Sequence, residues 1–247
     1  MDQIQLTVEK KIIIVYYAYV HRWSNWIQII SGQLSQLKSY GLLDAADLYI
    51  HITDPSELFN DVIALIETVT KSANISTSGE NQFEYPGIKL VYDLSLNHPD
   101  SILIYLHTKG ISHENNSRLP LEKALLKGTF ENWQENVKAF ETEGINKIGL
   151  FPAKEDPVVQ KDFNTKGGWM WYNFWYAKGS YIASACEVPK ITSNRWYYEV
   201  WVAGPYNEAL IPVHDCYSLY HKKPQIYFNV DEVQKSLPNL MEAVTNY

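Results

Sequence analysis

Glu199 stands in the run Arg195-Trp196-Tyr197-Tyr198-Glu199-Val200-Trp201, where four of its six companions are aromatic. A carboxylate enclosed by rings loses hydration and its pKa rises, which suits it to take a proton from a hydroxyl. The spacing by itself slightly favours an ion pair with Arg195, one helical turn earlier. A second stretch, His107-Thr108-Lys109-Gly110, ends an apolar segment abruptly. Its lysine and backbone amides could hold a phosphate, and Gly110 would allow close approach; the plainer alternative is a strand-to-loop turn with a solvated lysine. A third, Trp169 to Tyr181, is dense in rings and contains one amide, Asn173. If buried, that amide must be satisfied, either as a turn residue or by a ligand. Asp44-Ala-Ala-Asp47 fits a turn cap better than a metal site; His214-Asp215 and His221 could offer a ligand to a metal or a diphosphate, but a lone histidine is more often structural.

These groups need elements to position them. The run Ile12 to Tyr17 is β-branched and aromatic throughout, which predicts a strand buried on both faces of a mostly parallel sheet. Trp26, Ile30, Leu34 and Leu37 follow at helical spacing with Gly41 as C-cap, and Leu48, Ile50 and Ile52 alternate as a second strand. Asp54-Pro55-Ser56-Glu57 predicts the start of a helix carrying Phe59, Val62, Ile63, Ile66 and Val69 inward. Residues 72–82 are polar and predict a loop. Pro86 to Leu96 fits either period. Ser101 to Leu106 predicts another buried strand, so the polar tetrapeptide after it falls where open α/β sheets bind ligands. Pro120 to Glu143 predicts a helix stopped by Gly144, Ile145 to Phe151 a strand, and Pro152 to Gly168 a long loop. The expected fold is a single α/β domain over 1–247.

Composition narrows the function. With 28 acidic against 21 basic residues and a net charge of -7, no basic face exists to displace the counterions of a nucleic acid. Two cysteines make no disulfide framework and indicate a reducing compartment. The longest apolar run, Ile12 to Val20, is far too short to cross a bilayer and lacks a cleavage site, so the expected location is cytoplasmic, with peripheral membrane association as an extension. Dinucleotide, Walker, nucleophile-elbow and zinc-protease signatures are missing. Of the 34 Trp, Tyr and Phe residues, eleven lie between Trp169 and Trp201, which suggests a ring-lined wall able to stack against sugars, although for any single ring a packed core is the commoner explanation.

Glu84-Tyr85-Pro86, Tyr105 to Gly110, Asn173 to Ala177 with Tyr181-Ile182, and Arg195 to Trp201 occur in the order and approximate spacing of a known family. Over roughly residues 12–204 the chain resembles bacterial and viral glycosyltransferases that include the N-terminal domain of a chlorella-virus multidomain rhamnosyltransferase, with a more distant similarity to rhamnan-synthesis proteins. The resemblance implies a GT-A-like fold, with a nucleotide-binding half over about 1–110 and an acceptor-binding half over about 111–247. It also implies a helix at Pro86 to Leu96. By position, Tyr17 and Tyr19 would lie near the nucleobase and Glu84 near the nucleoside or sugar. His107, Thr108, Lys109 and Gly110 would occupy the usual Asp-x-Asp place; Asn173, Trp175, Tyr176 and Trp201 would line the acceptor site, and Glu199 would be the base.

Two departures stand out. The Asp-x-Asp that ordinarily holds Mn²⁺ or Mg²⁺ is replaced by His107-Thr108-Lys109, so either Lys109 supplies the charge or a metal is held by other ligands such as His107 or His214. Where a glycine commonly precedes the asparagine, this chain has Tyr172. The expected function is a transferase acting on a nucleotide-diphosphate sugar and a glycan or other hydroxyl acceptor, beside partner enzymes of glycan assembly, with inversion resting on Glu199 as the base. The alternatives are a non-catalytic nucleotide-sugar or glycan-binding module and an interaction protein with an aromatic surface.

Overall fold

A computed structural model describes residues 11–108, 119–156, 167–204 and 215–245. Within these residues the strands are β1 (Ile12–Tyr19), β2 (Asp47–Thr53), β3 (Asn74–Ser78), β4 (Ile102–His107), β5 (Lys147–Gly149), β6 (Trp175–Lys178), β7 (Cys216–Ser218) and β8 (Lys223–Pro224). They form one mixed sheet in the order β3-β2-β1-β4-β6-β5-β7-β8. The first four run parallel, and β6 is antiparallel to both its neighbours, β4 and β5. The helices are α1 (Trp26–Ser39), α2 (Leu42–Ala45), α3 (Phe59–Val69), α4 (Tyr85–Asn97), α5 (Leu119–Phe130), α6 (Trp133–Lys138), α7 (Gly179–Ala185), α8 (Trp196–Val200) and α9 (Val230–Thr245).

β1 explains the layering. Ile12, Ile14 and Tyr16 pack on one face with Ile30 and Leu34 of α1, Val62 and Ile66 of α3, and Phe130 of α5. Ile13, Val15 and Tyr17 pack on the other with Ile88 and Val91 of α4 and the rings of Trp175, Tyr197 and Trp201. A strand covered on both faces gains nothing from alternation, hence its unbroken apolar sequence. α4 lies against β1 at Gly87, where a Cβ would stand 2.6 Å from Tyr17 Cβ.

Several expectations hold and several need correction. Gly41 follows α1 in the left-handed conformation, and Pro86 to Leu96 is helical. The helix announced at Asp54 instead begins at Phe59, because the Asp54 carboxylate folds back to accept the Ser56 and Leu58 amides in a turn. The polar stretch 72–82 is not all loop: Asn74–Ser78 is the sheet's edge strand, with hydroxyls of Ser76 and Ser78 bonded to His51. A strand on the edge with one row of hydroxyl partners needs no apolar alternation. Pro120 to Glu143 is broken into α5, α6 and one turn of 3-10 helix, and the strand expected over Ile145 to Phe151 contracts to Lys147–Gly149.

Between α1 and α5, Gln33 donates to Glu122 and to the His107 carbonyl, the latter at 3.3 Å. Burial raises the Glu122 carboxyl from 4.5 to about 8, against the opposing effect of the Gln33 hydrogen bond. The folded chain therefore keeps a proton that the unfolded chain releases, and stability declines as pH rises through the window from 4.5 to about 8. Glu122→Gln should flatten that decline and stabilise the protein by on the order of 2–4 kcal/mol at alkaline pH, with little effect in acid. Urea melts across the pH range will read it, and an unchanged slope would show that another group titrates.

Candidate functional site

The carboxyl ends of β1 and β4 open into a cleft of about 280 Å³. Tyr17, Tyr19, His107 and Thr108 line it from the strand ends, together with Glu84 and with Arg195, Tyr198 and Glu199. Thr108 ties the two strand ends together: its amide donates to the Tyr17 carbonyl at 3.0 Å, and its hydroxyl accepts the Tyr19 amide at 2.9 Å. Tyr17 is almost wholly buried, its ring stacked on His51 with centroids 6.3 Å apart, and its hydroxyl has no hydrogen-bond partner among the described residues. Burial raises its phenol pKa, with the nearby Thr53 hydroxyl acting weakly the other way.

The cleft floor is one connected set. Glu84, at the N-terminus of α4, accepts the Tyr105 hydroxyl at 3.0 Å and the Asn173 amide at 2.5 Å, and its second oxygen lies 3.5 Å from His107 Nδ1. His107 Nε2 faces the Tyr172 carbonyl at 3.4 Å. Tyr105 is sandwiched between His107 and Trp175, at 6.1 and 5.2 Å between centroids, and Trp175 Nε1 donates to Asn173 Oδ1 at 2.8 Å. Both polar ends of the fully buried Asn173 amide are thus used. Tyr172 and Asn173 have φ of 71° and 56°, two successive left-handed residues. That backbone accounts for a glycine as the residue the resemblance leads one to expect at 172, since only glycine adopts it without cost.

α8 presents Glu199 from a short helix held by its rings. Tyr197 donates to Glu187 Oε1 at 2.6 Å, Tyr198 to the Lys190 carbonyl at 3.2 Å, and Trp201 Nε1 to the Glu187 carbonyl at 3.1 Å. Glu199 is buried, 6% exposed, at the cleft wall.

Six of the residues singled out from sequence therefore share one cleft: Tyr17, Tyr19, Glu84, His107, Thr108 and Glu199. Asn173 joins them through Glu84. Trp175 lies beneath Tyr105, and Trp201 packs against Tyr92 instead of lining the cleft. Tyr176 belongs to the opposite face of the sheet, where its hydroxyl donates to the Thr129 carbonyl at 2.8 Å and its ring packs on Phe130. Lys109, Gly110 and His214 lie outside the described residues. Asp47 pairs with Lys11 at 2.7 Å, Asp44 sits in α2, and His221 stacks on Phe228; none lines the cleft. Asn81 and Phe83 complete it and carried no motif; Phe83 has φ of 53° and a ring 40% exposed. No three His, Cys, Asp or Glu side chains among the described residues gather as a metal cluster. No helix among them is long and apolar enough to cross a membrane.

No family model matches the chain, and no curated protein does. Among solved structures it is similar to a crystal structure of 4-diphosphocytidyl-2C-methyl-D-erythritol synthase, at 9% identity over 96% of this chain and 100% of that one, with a TM-score of 0.44. The enzyme of that name from Anaerococcus prevotii DSM 20548 gives 9% identity, 96% of each chain and a TM-score of 0.42. Likenesses this distant fix neither fold family nor activity. What the geometry defines is a mixed α/β protein with a polar, ring-lined cleft at the carboxyl ends of its parallel strands.

Asn173→Ala would leave the Trp175 indole unpaired and Glu84 short of one donor, and should destabilise the protein by about 2–3 kcal/mol. The expected readout is a lower urea midpoint with an unchanged m-value; a midpoint equal to wild type would remove Asn173 from the floor network.

Proposed function

We propose that the chain is a GT-A-like glycosyltransferase that moves a sugar, with inversion, from a nucleotide-diphosphate donor to a hydroxyl acceptor. The observation that carries the reading is the meeting of Tyr17, Tyr19, Glu84, His107 and Thr108 with Glu199 in one cleft at the strand ends. Parallel strands direct their loops to that edge, which is where open α/β sheets take their ligands. The nucleobase would lie against Tyr17 and Tyr19, and Phe83 would close over it. The diphosphate would lie at the end of β4 beside His107 and Thr108, and the resemblance gives Lys109, next in the sequence, the role of supplying positive charge. The His107 ring lies between Glu84 and the Tyr172 carbonyl, one nitrogen toward each. Glu199, in the same cleft, would take the acceptor proton as the oxygen attacks the anomeric carbon, while positive charge near β4 stabilises the departing diphosphate. Mn²⁺ or Mg²⁺, if bound, would add Lewis-acid stabilisation of the same leaving group. The nucleotide-binding half to about residue 110, an acceptor-binding half beyond it, a cytoplasmic site of action and partner enzymes of glycan assembly belong to the same reading.

UDP, dTDP or GDP, tested with and without Mn²⁺, should raise thermal stability, by about 2.7 kcal/mol at a hundred-fold excess over Kd for the cognate nucleotide. Glu199→Gln should keep that shift and lose transfer by about 10²–10⁴-fold. No stabilisation by any nucleotide would overturn the proposal, and binding without turnover would favour a non-catalytic module of the same fold.

A further inference from the structure

Outside the cleft lies a second polar centre that the proposed chemistry does not use. Lys147 of β5 and Asp215, just before β7, form an ion pair of 3.0 Å with side chains 1% and 0% exposed. The ammonium also donates to the Tyr181 hydroxyl of α7 at 3.0 Å, and Tyr181 donates onward to the Val202 carbonyl at 2.9 Å. Val202 belongs to the 3-10 turn that directly continues α8, three residues beyond Glu199. Asp215 is itself held, its carbonyl accepting the Asn146 and Lys147 amides at 2.8 and 3.2 Å.

A third segment reaches the same point. The Cys216 thiol donates to the Gly168 carbonyl at 3.4 Å. At Gly168, with φ of 83°, a Cβ would come 3.2 Å from Lys147 Nζ, so the chain passes close to the ammonium there. From there it runs through Trp169 and Met170 to the left-handed pair Tyr172–Asn173 on the cleft floor. An apolar side chain of similar volume would fill the space and often stabilises as well as a buried ion pair. It would not fix the direction of a phenol or, through it, of a carbonyl.

We propose that Lys147 is a positioning residue: held by Asp215, its buried ammonium anchors the Glu199 helix through the Tyr181 hydroxyl, beside the point where the Cys216 thiol holds the Gly168-to-Asn173 segment. What those segments do rests on the function proposed above; how they are held does not. Burial acts to lower the Lys147 pKa, but Asp215 and Tyr181 outweigh it and the amine stays charged.

Tyr181→Phe keeps the ring and deletes the oxygen between Lys147 and Val202. Hydrogen exchange on the free protein should show amides of 196–204 exchanging about ten-fold faster, with β1 and β4 unchanged. In turnover assays kcat should fall about 10–100-fold while the donor KM and the nucleotide-induced thermal shift stay at wild-type values. A second variant, Lys147→Met with Asp215→Leu, removes both charges together and should show the same local loosening. Exchange in 196–204 that is unchanged, or that rises in step with β1 and β4, would overturn the proposal by reducing the ion pair to a general stability element. A double variant with wild-type exchange there would overturn it as well. If wild type binds no nucleotide, the transferase reading fails while the exchange comparison still decides how α8 is anchored.

Discussion

The cleft depends on one partly buried acceptor, the Glu84 carboxylate. A carboxylate partly withdrawn from water has to be met by partners, and here they come from two places in the chain: Tyr105 and His107 on β4, and Asn173 after Gly167 and Gly168. Because Glu84 opens α4, and α4 lies flat on β1 at Gly87, the requirement to satisfy one side chain sets where that helix begins relative to the strand ends. The same requirement fixes the Tyr172–Asn173 turn. Its left-handed backbone is costly for Tyr and Asn, and the Asn173 bonds to Glu84 and Trp175 offset that cost.

The aromatic content takes a different meaning in this setting. Most of the concentrated rings between Trp169 and Trp201 are buried struts whose polar edges reach backbone or side-chain partners. Trp171 bonds the Phe228 carbonyl, Trp175 the Asn173 side chain, Tyr176 the Thr129 carbonyl, Tyr181 the Val202 carbonyl and Trp201 the Glu187 carbonyl. A ring with one polar atom fills core volume and ties down an irregular segment at once, which Leu or Phe cannot do. Short strands and one-turn helices predominate in this half of the chain, so few backbone bonds are made within elements and side chains supply the rest. The rings left facing the cleft are few: Tyr17, Tyr19, Phe83 and Tyr198.

How much was legible from sequence follows from how local each cause is. β1 and β4 were readable because burial on both faces forces continuous apolar runs, and Gly41 because a left-handed cap selects glycine. β3 was not, since an edge strand that satisfies its side chains with His51 and Thr53 has the composition of a loop. The start of α3 was misplaced because Asp54 can cap a helix or close a turn, and the two look alike in four letters. Within the cleft, Glu84, His107 and Glu199 came from motifs, whereas Asn81 and Phe83 are brought in by the approach to α4 and have no pattern of their own. Tyr176 shows the converse. It belongs to the same motif as Asn173, but alternation along β6 turns it to the far side of the sheet from Trp175.

Lys147 was silent in sequence for a related reason. A lysine in a three-residue strand reads as solvent-facing, and only the tertiary fold shows that its partners are Asp215 and Tyr181, 68 and 34 positions away. The two charged centres therefore divide the work of shaping the cleft. Glu84 gathers the buried Tyr105 and Asn173 donors beneath it, and Lys147 gathers acceptors out of reach of water. Asn173 is bound directly to the first and lies five residues from Gly168 at the second, while Glu199 lies three residues from the carbonyl that Tyr181 holds. A side chain that must act at a fixed point is best carried by backbone that is itself constrained at close range, and both cleft segments meet that condition.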